Sequence, residues 1–322
     1  MSNHFLEMKD LVVEYTSGGS VIHAVNSVSI KLNRGETLGL VGETGAGKTT
    51  IAKSVLGILP DRSAKVCGGE ILLDGEDLLK LPEKEMLKIR GKKVSMVFQD
   101  PMTALNPVMT VGGQITEAIH LHEKLDLNAS KMKACSMLEM VGIPAERFNE
   151  YPHQFSGGMK QRVVIAMALA CNPELLLADE PTSALDVTIQ AQVLDMINAL
   201  KKKYNMAMLL ITHDLGVVAE TCEWVGIIYA GKIVEYGTKD AVFRRPSHPY
   251  TKGLFGSLPS MNSNAARLNP IPGMPPNPSH LPMGCAFTPR CSYTCEACQG
   301  GDVPLRELAS DHFCRCLSAK EV

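Results

Sequence analysis

Residues 42–49 read Gly-Glu-Thr-Gly-Ala-Gly-Lys-Thr and fill every fixed position of a G-x-x-x-x-G-K-[ST] phosphate-binding loop. Glycines in such a loop let the backbone turn tightly, so that its N–H groups surround phosphate oxygens. Lys48 is placed to reach the β- and γ-phosphates, and the Thr49 hydroxyl is placed to ligate Mg²⁺. The predicted nucleotide contacts of this segment are Gly42, Glu43, Thr44, Gly45, Ala46, Gly47, Lys48, Thr49 and Thr50.

The flanks of the loop agree with this interpretation. Residues 36–41 form a short apolar run that predicts a strand, and residues 50–58 predict a helix. The N-terminus of that helix would add about half a positive charge beside the phosphates. The alternative is an ordinary glycine-rich turn between a strand and a helix. The complete set of fixed positions in a strand–loop–helix context favours the phosphate site.

The composition indicates a soluble globular protein of about two domains. The chain has 322 residues, of which 45% are hydrophobic and 20% charged, and its net charge is −2. This charge gives no global attraction to nucleic acid. No apolar run is long enough to span a bilayer, and residues 1–10 lack the features of a secretory signal. We therefore expect a cytosolic chain, which could still dock on a membrane protein.

Strands and helices alternate along the chain in the manner of an α/β protein. A helix-rich stretch over 111–145 reads as an insertion into this layered core. From Pro246 the composition changes, and we take residues 246–322 as a separate C-terminal extension. Seven prolines between positions 259 and 282 predict that this part of the extension resists regular structure. The other predicted segments are strands at 28–32, 69–74, 94–98, 174–178, 207–212 and 224–230, and helices at 187–203 and 214–220.

Three strand ends carry residues suited to phosphate hydrolysis. The apolar strand that begins at Glu174 ends in Asp179, which can orient Mg²⁺, and Glu180, which can polarise a water for attack on the γ-phosphate. His213 follows another strand and could contact the γ-phosphate and the attacking water. Gln99 follows a third strand and could position both Mg²⁺ and the water. The alternatives are a solvated strand end, a structural histidine and a polar loop residue.

A second anion cradle is predicted where residues 155–162 lead into an apolar helix. Ser156, Gly157 and Gly158 lie at the predicted N-terminus of this helix, where free N–H groups and the helix dipole attract anions. One ATP does not need two such cradles in one subunit. The economical interpretation is that the second cradle serves ATP bound to a partner subunit. The alternative is a plain N-cap serine followed by flexible glycines.

The motifs over residues 5–245 resemble the nucleotide-binding subunit of an ABC transporter in both order and spacing. The resemblance implies a P-loop NTPase of the α/β class, with a RecA-like core, an antiparallel β subdomain and a helical subdomain at about 102–165. It places the nucleotide-binding domain at 1–245 and assigns a family loop to 183–186. It also implies that Tyr15 stacks on adenine. The signature departs from the common L-S-G-G-Q, because Phe155 replaces Leu and Met159 replaces Gln.

Three further segments resemble the peptide and nickel importer branch of that family, namely 99–107, 245–252 and 284–291. This implies an ATPase subunit for import of oligopeptides or dipeptides, at the cytoplasmic face of a bacterial or archaeal membrane. The implied partners are a second, related ATPase, two integral membrane permease subunits and an extracytoplasmic peptide-binding protein, but no nucleic acid. The alternatives are a nickel or metal-chelate importer, and a non-transport ABC-type ATPase that acts on ribosomes or nucleic acid. Such non-transport proteins usually join two cassettes or carry coiled-coil arms.

Six of the ten cysteines lie within residues 285–322, which in a cytosolic protein suggests a metal site more than disulfides. The resemblance to dipeptide-importer ATPases implies a [4Fe–4S] cluster on four of them. Tetrahedral Zn²⁺ is an alternative, since Cys295-x-x-Cys298 is a common zinc spacing, and a tail without metal is another. The four proposed ligands are Cys285, Cys291, Cys298 and Cys316.

Overall fold

The computed structural model describes residues 4–183, 185–257 and 270–320. The chain forms two units. The first contains Met1–Leu32, Leu38–Leu79 and Thr212–Val322, and the second contains Asn33–Thr37 and Lys80–Ile211. Ala184, in the predicted loop 183–186, and Pro259, in the predicted C-terminal extension, lie outside the described residues, as do residues 1–3.

The secondary structure alternates between strands and helices through most of the chain. In chain order the elements are β1 Leu6–Ser17, β2 Ser20–Leu32, β3 Thr37–Val41, α1 Lys48–Leu56, β4 Ala64–Leu73, β5 Glu76–Asp77, α2 Glu83–Ile89, β6 Val94–Val97, α3 Pro101–Ala104, α4 Val111–His122, α5 Leu127–Met140, α6 Gly157–Leu169, β7 Leu175–Asp179, α7 Val187–Tyr204, β8 Ala207–Ile211, α8 Leu215–Thr221, β9 Trp224–Tyr229, β10 Lys232–Thr238, α9 Lys239–Arg244, α10 Pro249–Gly256, β11 Arg306–Ala309 and β12 His312–Cys314. Short 3₁₀ turns add to these, including one at Thr288–Arg290.

The first unit contains an antiparallel sheet with the strand order β2-β1-β4-β5. The hairpin between β1 and β2 turns at Gly18 and Gly19, which both have positive φ. Val28, Ile30 and Leu32 alternate with more exposed residues along β2 and are buried. This period of two is the pattern of a sheet with one covered face.

A second set of strands in the first unit has the order β11-β12-β10-β9-β3. β3 pairs in parallel with β9, whereas β9, β10, β12 and β11 pair antiparallel in succession. All five residues of β3 are buried, as expected for a strand covered on both faces. The phosphate loop follows this strand directly and leads into α1.

The second unit contains three parallel strands in the order β8-β7-β6. Every residue of these strands is buried, which explains their nearly continuous apolar sequences. The helix α7 joins β7 to β8, with Asp186 accepting a hydrogen bond from the Ile189 N–H at 3.0 Å as its N-cap. The predicted helix-rich stretch forms α4 and α5.

Most predicted segments are confirmed to within one or two residues. The described part of the proline-punctuated stretch, residues 270–282, contains neither helix nor strand, as predicted, whereas the flanking parts of the extension form α10, β11 and β12, which the sequence analysis did not predict. Pro249 occupies the first turn of α10, where its missing N–H costs nothing, and His248 caps that helix. The strands β11 and β12 follow the last proline of the chain and therefore keep their ladder donors.

A buried carboxylate fixes the C-terminal extension to β10. Glu235 is fully buried and accepts hydrogen bonds from the N–H groups of Ser247 and His248 at 2.7 and 2.8 Å. It also accepts one from His312 Nε2 at 2.8 Å. A buried carboxylate is costly unless such donors surround it, so these contacts tie both ends of the extension to the sheet.

Among the residues that the structure describes, no helix is long and apolar enough to cross a membrane.

Candidate functional site

The phosphate loop of the first unit has the backbone shape that its glycines predict. Gly45 and Gly47 have φ of +82° and +102°, a region that suits glycine. A Cβ at Gly42 would collide with the Ile228 carbonyl oxygen, so close packing also requires glycine there. Lys48 Nζ donates to the carbonyl oxygens of Gly42 and Glu43 at 2.7 and 2.9 Å. The ammonium group thus lies over its own loop.

Tyr15 and Thr50 meet beside the start of α1. Their hydroxyl groups lie 3.3 Å apart, and both residues are partly buried. This contact brings the predicted adenine-stacking residue to the helix that follows the phosphate loop. The stacking itself stays a prediction.

His213 belongs to the first unit and lies two residues before α8. The residue is exposed, and the next residue, Asp214, caps α8 by accepting from the Gly216 N–H at 2.8 Å. The cap fixes the backbone immediately after the histidine. In the chain the histidine follows β8, as the sequence predicts, and its catalytic role stays a prediction.

The acidic strand end of the second unit brings two predicted residues together. Asp179 is buried at the end of β7, and Glu180 follows it with a left-handed φ of +47°. The Glu180 N–H donates to the Ile211 carbonyl oxygen at 2.8 Å, which holds this unusual backbone. The Glu180 carboxylate accepts a hydrogen bond from Gln99 Nε2 at 3.1 Å.

The second predicted anion cradle lies at the start of α6. Ser156 is its N-cap and accepts from the Met159 N–H at 3.4 Å, while Ser156 and Gly157 are exposed. A Cβ at Gly157 would meet nothing within 4 Å. This surface is therefore open to an anion, although the same geometry also suits an ordinary helix cap.

The two unusual signature residues share one neighbour. The Arg147 guanidinium lies 4.2 Å from the centroid of the buried Phe155 ring, and its Nη1 donates to Met159 Sδ at 3.2 Å. Arg147 also pairs with Glu150 at 2.6 Å. Phe155 and Met159 thus belong to a local cluster that supports the first turn of α6.

The C-terminal extension contacts the phosphate loop at Glu43. Tyr250 Oη accepts a hydrogen bond from the Glu43 N–H at 3.0 Å, and Arg290 Nη1 donates to the Glu43 carboxylate at 2.9 Å. Sequence reasoning did not identify Arg290 or Tyr250 as functional residues. Both lie in segments that carry the family resemblance, and this is the only feature of the sequence that could have pointed to them.

Four tail cysteines line one small cavity in the first unit, with an empty volume of about 320 Å³ that includes space open to solvent. These four are the residues predicted as ligands, whereas Cys295 and Cys314 do not line it. Burial raises the pKa of the Cys291 thiol. Within the described part of the chain, no three His, Cys, Asp or Glu residues are grouped closely enough to hold a metal ion. The lining thiols belong to Cys285, Cys291, Cys298 and Cys316.

Two family models match this chain. Residues 25–183 match the model described as ABC transporter, and residues 234–298 match the oligopeptide/dipeptide transporter C-terminal region. The chain is 52% identical to the dipeptide transport ATP-binding protein DppD of Bacillus subtilis over 89% of this chain and 86% of that protein. It is 44% identical to the oligopeptide transport ATP-binding protein OppD of Salmonella typhimurium, over 99% and 95% of the two chains.

Solved structures show the same fold. The chain is similar to a dimeric, post-hydrolysis structure of the ATP-binding cassette MJ0796 bound to ADP and Pi, with a TM-score of 0.67 and 27% identity. This match covers 73% of this chain and 98% of that one. The predicted P-loop α/β fold is thereby confirmed. The two family models match this chain, its relatives align over most of its length, and the fold is shared. The chain therefore belongs to the ABC transporter ATP-binding proteins of the oligopeptide/dipeptide branch.

Proposed function

We propose that this chain is the ATP-hydrolysing subunit of an ABC importer for oligopeptides or dipeptides. The observation that carries the proposal is the Gln99–Glu180 contact at the acidic strand end, in a chain with a complete phosphate loop. A carboxylate that is held by an amide donor is positioned to orient a water and accept its proton. The names of the curated relatives, which are dipeptide and oligopeptide transport proteins, support the peptide substrate.

The proposed chemistry divides the work between binding and hydrolysis. Lys48 and the loop N–H groups bind the triphosphate, and Tyr15 supports the adenine. Glu180 takes the proton of the attacking water, while Gln99 orients the carboxylate and His213 contacts the γ-phosphate. Glu180, Gln99 and His213 thereby act where charge develops during transfer of the phosphoryl group.

The proposed Mg²⁺ ligands are Thr49, Asp179 and Gln99. Their hydroxyl, carboxylate and amide oxygens are the hard donors that this ion prefers. When bound, the ion would neutralise charge on the β- and γ-phosphates.

We also propose that two cassettes pair, with Ser156, Gly157 and Gly158 of one subunit facing ATP on the other. The exposure of Ser156 and Gly157 supports this arrangement, as does the dimeric structure of a related cassette. The proposed complex contains a related second ATPase, two permease subunits and an extracytoplasmic peptide-binding protein, at the cytoplasmic face of the membrane. The division into a cassette at 1–245, with a helical subdomain at about 102–165, and an extension at 246–322 stays a prediction.

Purification of the tagged full-length chain from detergent-solubilised membranes tests this function. We expect integral membrane subunits to co-purify, and the complex reconstituted with its binding protein to take up labelled peptides in an ATP-dependent manner. Uptake of nickel without peptide uptake would replace the proposal by the metal-importer alternative. Association with ribosomes in place of membrane subunits would overturn it.

We further propose that the four-thiol cavity holds a [4Fe–4S] cluster. The four predicted ligands line one cavity, and four thiolates are the ligand set that such a cluster takes. A cluster spreads its iron atoms, so its four thiolates can lie further apart around a cavity. The group would supply a covalent tie between distant parts of the tail.

Iron and zinc analysis of anaerobically purified protein, with an absorption spectrum, tests the cluster. We expect about four iron atoms per chain and broad visible absorption that is lost in Cys291→Ser and kept in Cys295→Ser. Cys295 is the matched control, because it lies in the same segment but does not line the cavity. Stoichiometric zinc, or no metal at all, would contradict the proposal.

A further inference from the structure

The C-terminal extension forms hydrogen bonds with the second residue of the phosphate loop, Glu43. The main-chain N–H of Glu43 donates to Tyr250 Oη at 3.0 Å, and its carboxylate accepts from Arg290 at 2.9 Å. Main chain and side chain of one loop residue are thus held from outside the loop. The Glu43 carbonyl oxygen is a third contact, because it accepts from Lys48 Nζ at 2.9 Å.

The Arg290 side chain is itself immobilised within the extension. Its Nε donates to the Pro272 carbonyl oxygen at 2.9 Å, and Nη1 also donates to Tyr229 Oη at 3.3 Å. The side chain is only 5% exposed. A guanidinium that is fixed in this way holds its charge at one point and loses little further freedom when it pairs with a carboxylate.

Tyr250 is fixed equally well. It is fully buried, and its ring packs against Tyr229 and Phe287 with centroid distances of 4.6 and 5.5 Å. Tyr229 ends β9, whereas Phe287 and Tyr250 come from the extension. The phenol that accepts the Glu43 N–H is therefore part of a rigid aromatic cluster.

An acidic side chain in a phosphate loop disfavours the binding of a nucleotide, because both are negatively charged. Glu43 lies in the loop that must receive a highly anionic triphosphate, and like charges repel over distances shorter than the Debye length of about 8 Å. Pairing with Arg290 neutralises the carboxylate and draws it towards the extension. The same pairing also restrains the main chain of Glu43, whose N–H donates to Tyr250 and whose carbonyl oxygen accepts from Lys48.

We propose that Arg290 is a positioning residue for nucleotide binding, which neutralises the Glu43 carboxylate and draws it towards the extension, so that the phosphate loop can receive ATP. Tyr250 holds the Glu43 N–H beside this ion pair. The C-terminal extension is then a functional part of the ATP site. Neither residue needs to touch the nucleotide.

A double-mutant cycle on the full-length chain tests this role, with the dissociation constant of MgATP measured by titration calorimetry. Arg290→Ala should weaken binding by roughly tenfold, which corresponds to ~1.4 kcal/mol. In the Glu43→Gln background the charge that Arg290 offsets is absent, so Arg290→Ala should weaken MgATP binding much less there than in the wild type. The double variant Arg290→Ala with Glu43→Gln should therefore bind MgATP nearly as tightly as Glu43→Gln alone. In the assembled ATPase, the loss should appear in KM more than in kcat.

A control separates positioning from simple support of the fold. Arg315 also anchors the extension, through the carbonyl oxygens of Ile233 and Val303 at 3.1 and 2.6 Å, but it has no described contact with the loop. Arg315→Ala should lower the melting temperature without changing the MgATP dissociation constant. If Arg290→Ala does not fold, Arg290→Gln and Arg290→Lys are measured, and the lysine variant should bind ATP more tightly than the glutamine variant.

Two results would overturn the proposal. One is an equal loss of affinity from Arg290→Ala in the wild-type and in the Glu43→Gln background, because the Glu43 charge would then be irrelevant. The other is a loss in Arg315→Ala as large as that in Arg290→Ala, because the extension would then act only through its stability.

Discussion

Gln99 donates a hydrogen bond from Nε2 to the Glu180 carboxylate at 3.1 Å, although 81 positions separate the two residues in the chain. Gln99 lies two residues beyond β6 and Glu180 one residue beyond β7, and these strands are paired in parallel from Val94 to Val97. The contact therefore follows from the register of two buried strands. A displacement of the segment after β6 would alter the hydrogen bonding of the proposed base directly.

Replacement of Glu180 by glutamine should stop turnover without preventing nucleotide binding. The amide cannot accept the proton of the attacking water, so we expect kcat to fall by about 10²- to 10⁴-fold. Steady-state phosphate release and equilibrium binding of MgATP measure the two effects. Glu174→Gln is the control, since Glu174 precedes the same strand and pairs with Arg34. Normal hydrolysis by Glu180→Gln would refute the assignment of the base.

Lys48→Ala should act on binding itself. Loss of the charge-assisted hydrogen bonds to the β- and γ-phosphates should weaken MgATP binding by roughly 10- to 100-fold. Titration with a slowly hydrolysed ATP analogue measures the change. Lys53→Ala, at the other end of α1, should leave the affinity intact. An unchanged affinity in Lys48→Ala would contradict the phosphate role of the lysine.

Ser156→Ala should distinguish the binding of ATP by one subunit from the ATP-dependent pairing of two subunits. The Ser156 hydroxyl caps α6 in the structure, and its loss costs about 1 kcal/mol of stability. If the hydroxyl also faces ATP of the partner subunit, ATP-dependent association should be lost while the monomer still binds MgATP. Size-exclusion chromatography of the chain and its partner ATPase with trapped ATP distinguishes these states, and Ser156→Thr should restore pairing. Undiminished pairing in the alanine variant would leave Ser156 as a helix cap only.

His248 should make the stability of the chain depend on pH. Burial lowers its pKa from 6.5 to about 4, opposed by the nearby Glu235 carboxylate and aided by Lys252. The unfolded chain therefore binds more protons between these values, so the free energy of unfolding decreases as the pH falls from 6.5 to 4. The full effect is at most roughly 3 kcal/mol.

Denaturant titrations across this pH range test the prediction. In the wild type, His248 Nδ1 accepts a hydrogen bond from the Tyr250 N–H at 3.0 Å. His248→Asn removes the titrating group but keeps a side-chain acceptor for this N–H. The variant should lose less stability than the wild type over the same range. Parallel losses in the two proteins would show that other groups control the acid sensitivity.

The sequence predicts local elements well and long-range contacts poorly. The buried strands β7 and β8 are recognisable because parallel strands covered on both faces have continuous apolar sequences. The glycines of the phosphate loop are recognisable because a fixed motif demands them. By contrast, the Arg290–Glu43 contact joins residues 247 positions apart, and no local pattern marks it. The hairpin β11–β12 was missed because the proline-rich stretch before it dominated the composition of the tail.

The strand pair near the C-terminus has a consequence for how the protein is made. β12 pairs with β10, and without it the backbone groups along that side of β10 would form an open sheet edge, which is a template for pairing with other chains. The strands that cover this edge lie within Arg306–Cys314, well after β10 in the chain. During synthesis, β10 therefore emerges before the strand that covers its edge. A message truncated upstream of codon 306 should yield an aggregation-prone product instead of a smaller working cassette.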